Sequence, residues 1–204
     1  MSNKYNHPEL EDLGGQMHFF ERDKLHEWVY QKKPSVVFEV GGGAGGGSTI
    51  QIAHALKTLK DNGVCVDTKF YTCDADPLEV GKSKPYFSSH PDYKDFVRVS
   101  CDYSTEFLTR LISSNIIPDF IFFDGPEHPE LNLEDFKMLE EVVPVGTMFA
   151  SHDWEVEERI EGGFSIKNVA LRPYLENSES WKEIECLSGV MGEWPNEESE
   201  NSVG

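Results

Sequence analysis

The chain has few cysteines, little positive charge and no long apolar run. Its 204 residues include four Cys, 18 Lys and Arg, and 37 Asp and Glu, which gives a formal net charge of −19. An acidic chain repels phosphate backbones, so the composition argues against nucleic-acid binding. The longest apolar runs span only a few residues, so we expect no membrane-spanning helix. The polar stretch that opens at residues 1–4 does not resemble a secretory leader.

The four cysteines do not form a metal-binding or redox motif. Cys65, Cys73, Cys101 and Cys186 include no C-x-x-C pair. We therefore predict a reduced, cytoplasmic protein without structural zinc. Cys73 and Cys101 end predicted buried strands, where a free thiol is expected to act as a small apolar filler.

Length and composition predict one main domain. Hydrophobic residues make up 38% of the chain, and a chain of 204 residues can bury a core without disulfides. We expect an N-terminal extension over residues 1–16, a single domain over 17–195, and an acidic, disordered tail over 196–204.

Strand and helix patterns alternate through this domain. The β-rich runs that we interpret as strands cover residues 35–40, 69–73, 96–100, 119–123 and 147–151. The apolar spacing of residues 19–30, 48–60, 104–115 and 132–142 is typical of helices. We expect Ser104 or Thr105 to cap the third of these helices. This alternation predicts an α/β fold with right-handed crossovers and a mostly parallel sheet covered by helices on both faces.

The C-terminal part follows a different pattern. Residues 181–187 and 190–194 are strand-like and are joined by Ser188-Gly189, which predicts a closing antiparallel hairpin. The polar, charged residues 155–163 predict an excursion or lid. Residues 124–161 contain twelve acidic and two basic residues, and clustered carboxylates can bind a cation.

A glycine-rich segment carries the richest functional signal. The sequence EVGGGAGGGST, residues 39–49, follows an apolar strand and opens a helix. Glycines allow a ligand to touch the backbone, and the helix N-terminus adds a positive dipole. The segment lacks the Lys of a phosphate-binding P-loop, which argues against ATP or GTP hydrolysis.

Two ligand classes fit this loop, a dinucleotide and S-adenosylmethionine. Gly41, Gly43 and Gly46 satisfy the G-x-G-x-x-G spacing, so the glycines alone do not decide between them. Glu39 would repel a pyrophosphate, whereas it can meet the cationic amino acid end of S-adenosylmethionine. Asp74, at the end of the second strand, suits a ribose diol.

Five motifs occur in order along the chain: Glu39-x-Gly41-x-Gly43-x-Gly45-x-x-Ser48-Thr49, Asp74-x-Asp76-Pro77, Ser100-Cys101-Asp102, Phe122-Phe123-Asp124-Gly125 and Ser151-His152-Asp153. Together they resemble the class I S-adenosylmethionine-dependent methyltransferases. The resemblance is greatest to the group of small-molecule and sugar O-methyltransferases and cephalosporin-hydroxylase-like proteins, and it covers roughly residues 17–190. It implies a Rossmann-like fold with a seven-stranded, mostly parallel sheet and an antiparallel last strand.

The resemblance also implies roles for residues around the cofactor. Glu39 and the glycines would face the methionine part, Asp74 would hold the ribose hydroxyls, and Asp102 would lie by the adenine. Asp102 has a competing role as a cap of the helix that begins at Ser104. The cofactor-binding residues expected on this basis are Glu39, Gly41, Gly43, Gly45, Ser48, Thr49, Asp74, Asp102 and Asp124.

Two carboxylates are expected to meet on the acceptor side. Asp124 ends the fourth strand and Asp153 follows the fifth. Apposed carboxylates repel each other unless a cation joins them or one is protonated. In the resembled enzymes, the positions of Asp124, His152 and Asp153 bind a divalent metal, which implies Mg²⁺ or Mn²⁺ here. The alternative is that Asp124 and His152 bind the acceptor directly, without a metal.

The base that removes the acceptor proton has two candidates. His128 lies four residues after Asp124, whereas the family commonly has a histidine three residues after this Asp. Glu127 occupies that ungapped position, and Pro126 can re-route the loop. We therefore keep both His128 and Glu127 as candidates, beside Asp124, for the catalytic groups.

The sequence thus favours an enzyme that transfers a methyl group to a hydroxyl of a small acceptor. A sugar, free or within a glycoside or glycan, is the first choice on the basis of the resemblance, with metal assistance. The alternatives are a catechol-like phenol methyltransferase, a nicotinamide-dependent oxidoreductase and a non-catalytic cofactor-binding module. The oxidoreductase would need a Tyr-x-x-x-Lys or similar motif, which Tyr93-Lys94 does not supply. We expect no nucleic-acid or membrane partner, and a homo-oligomer is compatible with the sequence.

Overall fold

A computed structural model describes residue 13 and residues 17–126, 128–154 and 166–182. The strands of this part of the chain are β1 (Val36–Val40), β2 (Lys69–Asp74), β3 (Val97–Cys101), β4 (Phe120–Phe123) and β5 (Met148–Ser151). Its helices are α1 (Phe19–Lys32), α2 (Ser48–Asp61), α3 (Pro77–Ser89), α4 (Ser104–Ser113), α5 (Pro129–Glu140) and α6 (Leu171–Glu176). Within these residues, no helix is both long enough and apolar enough to cross a membrane.

The five strands form one sheet in the order β3-β2-β1-β4-β5, and every neighbouring pair is parallel. The prediction of an α/β fold with a mostly parallel sheet is thereby confirmed. The chain order reverses between β1 and β4, so a crevice opens at the carboxyl ends of these two strands, where ligands bind in such sheets. Val40, the last residue of β1, pairs with Cys73 on one side and Phe123 on the other.

Two apolar cores lie on opposite faces of the sheet. Successive side chains of β1 alternate between them: Val37 packs in the core that includes Leu25 of α1 and Leu56 of α2, while Phe38 packs in the core that includes Phe107 of α4. This is the period of two that a strand imposes. Glu39 therefore points to the same face as Val37, toward the N-terminus of α2.

The helix α3, between β2 and β3 in the chain, was not predicted from the sequence. In α3, only Val80, Ser83 and Phe87 are buried, and the helix contains both Gly81 and Pro85. Glycine and proline have low helix propensity, so the interior does not look helical. The short helix α6 was not predicted either.

Two local predictions were wrong. Cys101 is exposed rather than a buried filler, because β3 lies at an edge of the sheet that the described residues form; Cys73 in the inner strand β2 is buried, as predicted. The N-cap residue of α4 is Tyr103, and no side chain in the described part of the chain caps this helix. The Thr105 hydroxyl donates instead to Oδ1 of Asp135 at 2.7 Å, and the carboxylate of Asp102 pairs with Arg110.

Several predicted segments lie outside the described residues. These are the N-terminal extension except Leu13, the polar segment 155–163, the hairpin from residue 183 onward, and the acidic tail. The hairpin is the part expected to complete a seven-stranded sheet.

Candidate active site

The glycine loop crosses the ends of three neighbouring strands. The backbone N–H groups of Gly41 and Gly42 both donate to the carbonyl of Cys73, at 2.9 and 3.0 Å, which ties the loop to β2. Gly41 has φ of 88°, and a Cβ there would overlap the backbone carbonyl of Asp124. Only glycine permits both this conformation and this approach. The loop and the end of β4 therefore share one wall.

Glu39 is a fully buried carboxylate beneath this loop. Its Oε2 accepts a hydrogen bond from the Thr49 hydroxyl at 2.7 Å, and its Oε1 has no hydrogen-bond partner among the described residues. Burial raises the pKa of Glu39 to about 6, although the hydroxyls of Ser48, Thr49 and Thr72 partly oppose this rise. A buried carboxylate with a spare oxygen is suited to a cationic ligand group.

Asp74 joins the end of β2 to the tip of the loop. Its Oδ2 accepts the backbone N–H of Gly43 at 2.9 Å, and its Oδ1 accepts that of Asp76 at 2.8 Å. The N–H of Asp102 donates to the Asp74 carbonyl at 3.2 Å, which places the ends of β2 and β3 side by side. A Cβ on Gly43 would meet no atom within 4 Å, so the loop is open to a ligand here.

Asp124, His152 and Asp153 converge at the ends of β4 and β5. Nδ1 of His152 lies 3.3 Å from Oδ1 of Asp124 and 3.3 Å from Oδ1 of Asp153. One ligand atom from each residue lies within 4.8 Å of the others. Burial alone would lower the pKa of His152, but these carboxylates and Glu21 outweigh it and raise that pKa well above its usual value.

A buried lysine completes this cluster. The Nζ atom of Lys167 forms an ion pair with Asp124 and lies 3.1 Å from Oδ2 of Asp153, and its side chain is only 3% exposed. Burial alone would raise the pKa of Asp124, but Lys167 and His152 hold it well below its usual range. Lys167 was missed by the sequence analysis because residues 166–168 match none of the five motifs.

Two buried asparagines hold Lys167 at this position. Nδ2 of Asn132, in α5, donates to the carbonyl of Lys167 at 3.1 Å and to Oδ1 of Asn168 at 3.1 Å. Nδ2 of Asn168 donates to the carbonyls of His152 and Asp153, at 2.6 and 3.0 Å. The backbone on both sides of the cluster is therefore held by one amide network.

The N-terminal helix α1 reaches the same cluster. Oε2 of Glu21 lies 3.3 Å from Nε2 of His152 and also accepts the N–H of His18 at 2.9 Å. A cavity of about 350 Å³ borders this side of the site. Part of its wall is formed by Glu21, Trp28, His152, Asp153 and Trp154.

This arrangement agrees with a family comparison. Residues 39–154, more than half of the chain, match the sequence profile of a methyltransferase domain. The chain belongs to this methyltransferase family. The match begins at Glu39 and ends just after Asp153. It therefore spans the glycine loop and the acidic cluster, as we call the group of Asp124, His152 and Asp153. A search of curated proteins found no match to the chain.

Solved structures of methyltransferases share the fold of this methyltransferase. An O-methyltransferase from Bacillus cereus in complex with S-adenosylhomocysteine aligns with a TM-score of 0.63 and 17% identity, over 83% of this chain and 74% of that one. The O-methyltransferase TomG from Streptomyces achromogenes, involved in tomaymycin synthesis and solved with S-adenosylmethionine, aligns with a TM-score of 0.60 and 17% identity, over 82% and 71%. The S-adenosylhomocysteine-bound methyltransferase PaMTH1 from Podospora anserina gives 0.56 and 13%, over 76% and 60%.

The described part of the methyltransferase brings some of the expected cofactor residues together. Glu39 and Thr49 are in contact beneath the loop, and Asp74 contacts Gly43. Ser48 is buried at the N-terminus of α2, beside Glu39. Gly45 packs against α3, where a Cβ would lie 2.8 Å from the ring of Phe87.

Of the two candidate bases, the structure describes His128, which is not part of the group of potential metal ligands. His128 is the N-cap residue of α5; it is exposed, and its carbonyl accepts the N–H of Asn132 at 3.0 Å. Among the described residues, the group of potential metal ligands contains Asp124, His152 and Asp153 but not His128. Glu127 lies outside the described residues.

Proposed function

We propose that this methyltransferase transfers a methyl group from S-adenosylmethionine to a hydroxyl group of a small acceptor. The observation that carries the proposal is the close approach of Gly41 to the backbone of Asp124. Because of it, the loop expected to hold the cofactor and the cluster expected to hold the acceptor border the same crevice. A methyl donor and a hydroxyl bound on the two sides would be neighbours.

The residues around the loop suit the parts of S-adenosylmethionine. The buried carboxylate of Glu39 would face the ammonium of the methionine part, with the glycines 41, 43 and 45 and the hydroxyls of Ser48 and Thr49 beside it. Asp74 would accept hydrogen bonds from the ribose hydroxyls, and Asp102 would lie by the adenine. Glu39 disfavours a dinucleotide, because its charge would lie close to the pyrophosphate.

Methyl transfer is an in-line displacement. The acceptor oxygen forms a bond to the methyl carbon while the bond from that carbon to the sulfonium sulfur breaks, and the acceptor loses its proton. The protein must place the oxygen in line with the methyl group and remove that proton. We propose His128 as the base, with Glu127 as the alternative, and Asp124 as a group that orients the acceptor.

The acidic cluster fits a divalent metal. Asp124, His152 and Asp153 offer two carboxylates and one imidazole within 4.8 Å of one another, and the ammonium of Lys167 already lies against both carboxylates as a cation would. We propose that these three residues hold Mg²⁺ or Mn²⁺. A bound metal would lower the pKa of an acceptor hydroxyl.

For the acceptor we propose a sugar. The cavity beside the cluster presents the apolar rings of Trp28 and Trp154 together with the polar groups of Glu21 and Asp153. Such a mixture suits a ligand with both hydroxyl groups and an apolar face. A catechol-like phenol is the second candidate, since it also offers hydroxyls to a metal and a ring to the tryptophans. Because Cys65, Cys73 and Cys101 are free, we place this activity in the cytoplasm.

The test combines binding and turnover. Calorimetry should show binding of S-adenosylhomocysteine and little binding of NAD. Methyl-labelled S-adenosylmethionine should then label a sugar or glycoside in a panel that also contains catechols. Tight binding of NAD without binding of S-adenosylhomocysteine would overturn the cofactor assignment. Labelling of catechols alone would move the acceptor to the phenol class.

A further inference from the structure

We propose that Lys167 is a tethered counter-cation of the acidic cluster, and that a divalent metal binds by displacing the Lys167 ammonium from between Asp124 and Asp153. This inference rests on the proposed function, because it takes Asp124, His152 and Asp153 as the metal ligands. It adds a residue that controls how strongly the metal binds.

The first support is the position of the ammonium. Nζ of Lys167 pairs with Asp124 and lies 3.1 Å from Oδ2 of Asp153, so it joins carboxylates from the ends of two different strands. Two carboxylates this close would repel each other without a cation between them. The ammonium of Lys167 thus supplies a positive charge at the position where the family resemblance implies a metal.

The second support is the way the lysine is held. Its side chain is 3% exposed, and Asn132 and Asn168, which hold its backbone, are 0% and 1% exposed. A buried charge that is anchored in this way is a built part of the site, since lysine is almost never fully buried unless it is paired. The amide network holds the backbone, so the flexible four-carbon stem is the part that can move.

Competition for the same oxygen atoms follows from this geometry. The single positive charge of Lys167 offsets one of the two carboxylate charges, and the imidazole of His152, whose pKa these acids raise, lies 3.3 Å from each of them. A divalent ion that takes these oxygens as ligands would have to expel the ammonium, because two cations on the same atoms repel each other. Removing the lysine charge should therefore strengthen metal binding. It should also make the thermal stability of the protein depend on bound metal.

The experiment compares binding of Mn²⁺ alone, measured by electron paramagnetic resonance, in the full chain and in the variant Lys167→Met. Methionine keeps much of the stem volume and removes the charge. We expect Mn²⁺ to bind the variant at least about tenfold more tightly than the unaltered chain. Lys94→Met, which removes an exposed lysine just before β3, is the matched control and should leave the affinity unchanged.

Thermal unfolding gives a second readout. Without metal, Lys167→Met should unfold at a lower temperature, because Asp124 and Asp153 lose the ammonium that lies between them, and Mn²⁺ should restore the lost stability. Lys167→Arg keeps the charge and should bind Mn²⁺ no more tightly than the unaltered chain. Unchanged or weaker Mn²⁺ binding by Lys167→Met overturns the proposal.

A measurement on the unaltered chain covers the case in which Lys167→Met does not fold. Labelling of lysines with an amine-reactive ester, read by mass spectrometry, should increase at Lys167 when Mn²⁺ is added and stay constant at Lys94. Labelling of Lys167 that saturating Mn²⁺ leaves unchanged overturns the displacement. Neither readout needs methyl transfer, so a chain that binds Mn²⁺ as expected but transfers no methyl group would contradict the proposed function and leave this inference intact.

Discussion

Oδ2 of Asp74 accepts the backbone N–H of Gly43 at 2.9 Å, which links the acid at the end of β2 to the tip of the glycine loop. The same carboxylate is the one proposed to hold the ribose. Asp74 therefore has two roles in the proposed cofactor site: it fixes the position of the loop and it offers acceptors to the ligand.

The variant Asp74→Ala should bind S-adenosylhomocysteine more weakly. Each lost hydrogen bond to a charged acceptor is worth about 1.5 to 3 kcal/mol, and the loop also loses its anchor at Gly43. Calorimetry measures the change directly. Asp61→Asn, at the exposed C-terminal end of α2, is the control and should leave the affinity unchanged. Equal affinity for Asp74→Ala and the unaltered chain would remove Asp74 from the cofactor site.

Cofactor binding should also depend on pH through Glu39. Burial raises the pKa of this residue to about 6, and the ionised form is the one that attracts an ammonium group. Below pH 6 a proton and the ligand ammonium compete for the Glu39 carboxylate. The affinity for S-adenosylhomocysteine should therefore fall by about tenfold for each unit that the pH drops. Calorimetry between pH 5 and 8 checks this (the range brackets the pKa of about 6). The variant Glu39→Gln should bind weakly and with little pH dependence over the same range.

The same residue predicts an opposite trend for stability. Because its pKa rises on folding from 4.5 to about 6, Glu39 supports the fold fully below the lower value, and this support is lost as the pH rises through about 6. The loss is about 2 kcal/mol. Denaturant unfolding of the ligand-free protein should show the unaltered chain losing stability relative to Glu39→Gln over this window. A constant difference between the two proteins would contradict the assigned pKa.

The sheet and its two faces could be predicted because the inner strands are buried on both sides. In β1 and β4, short apolar runs such as residues 120–123 are bounded by polar or turn residues. Successive side chains of a strand point to opposite faces of the sheet, and this decides which core each side chain enters. The crevice could also be predicted, because Glu39 and Asp124 lie at the carboxyl ends of two neighbouring parallel strands.

The missed features depend on tertiary contacts or on signals at one end of an element. The interior of α3 does not have a helical sequence pattern, because it contains Gly81 and Pro85. Its start does carry helix signals: Oδ1 of Asp76 accepts the Leu78 N–H at 2.8 Å, and a proline follows Asp76. Those start signals would have found the helix. Lys167 offered no such signal, because a lysine in a polar segment is ordinarily exposed and only contacts with Asn132 and the cluster bury it here.

Chelation should separate a metal-assisted reaction from direct acceptor binding. If Asp124, His152 and Asp153 hold a metal, exhaustive chelation should abolish turnover, and Mg²⁺ or Mn²⁺ should restore it. Binding of S-adenosylhomocysteine should survive chelation, because Glu39, Thr49 and Asp74 at the glycine loop are not among the proposed metal ligands. Full turnover after exhaustive chelation would leave the three residues as direct ligands of the acceptor.

The base assignment can be tested by paired substitutions. His128 precedes Pro129, the first residue of α5, and the fixed φ of proline restricts the backbone next to the imidazole. An imidazole titrates near neutrality, whereas a carboxyl group must be buried to do so. His128→Ala should therefore lower kcat by about 10²- to 10⁴-fold, with unchanged affinity for S-adenosylhomocysteine.

The pH profile distinguishes a base from a residue that only shapes the loop. If His128 removes the acceptor proton, the acidic limb of the kcat profile should disappear in His128→Ala, because that limb reports protonation of the base. A residue that only positions the loop would change the height of the profile and keep its shape. Near-normal turnover of His128→Ala together with loss of turnover in Glu127→Gln would move the assignment to Glu127, the position that matches the family pattern without a gap.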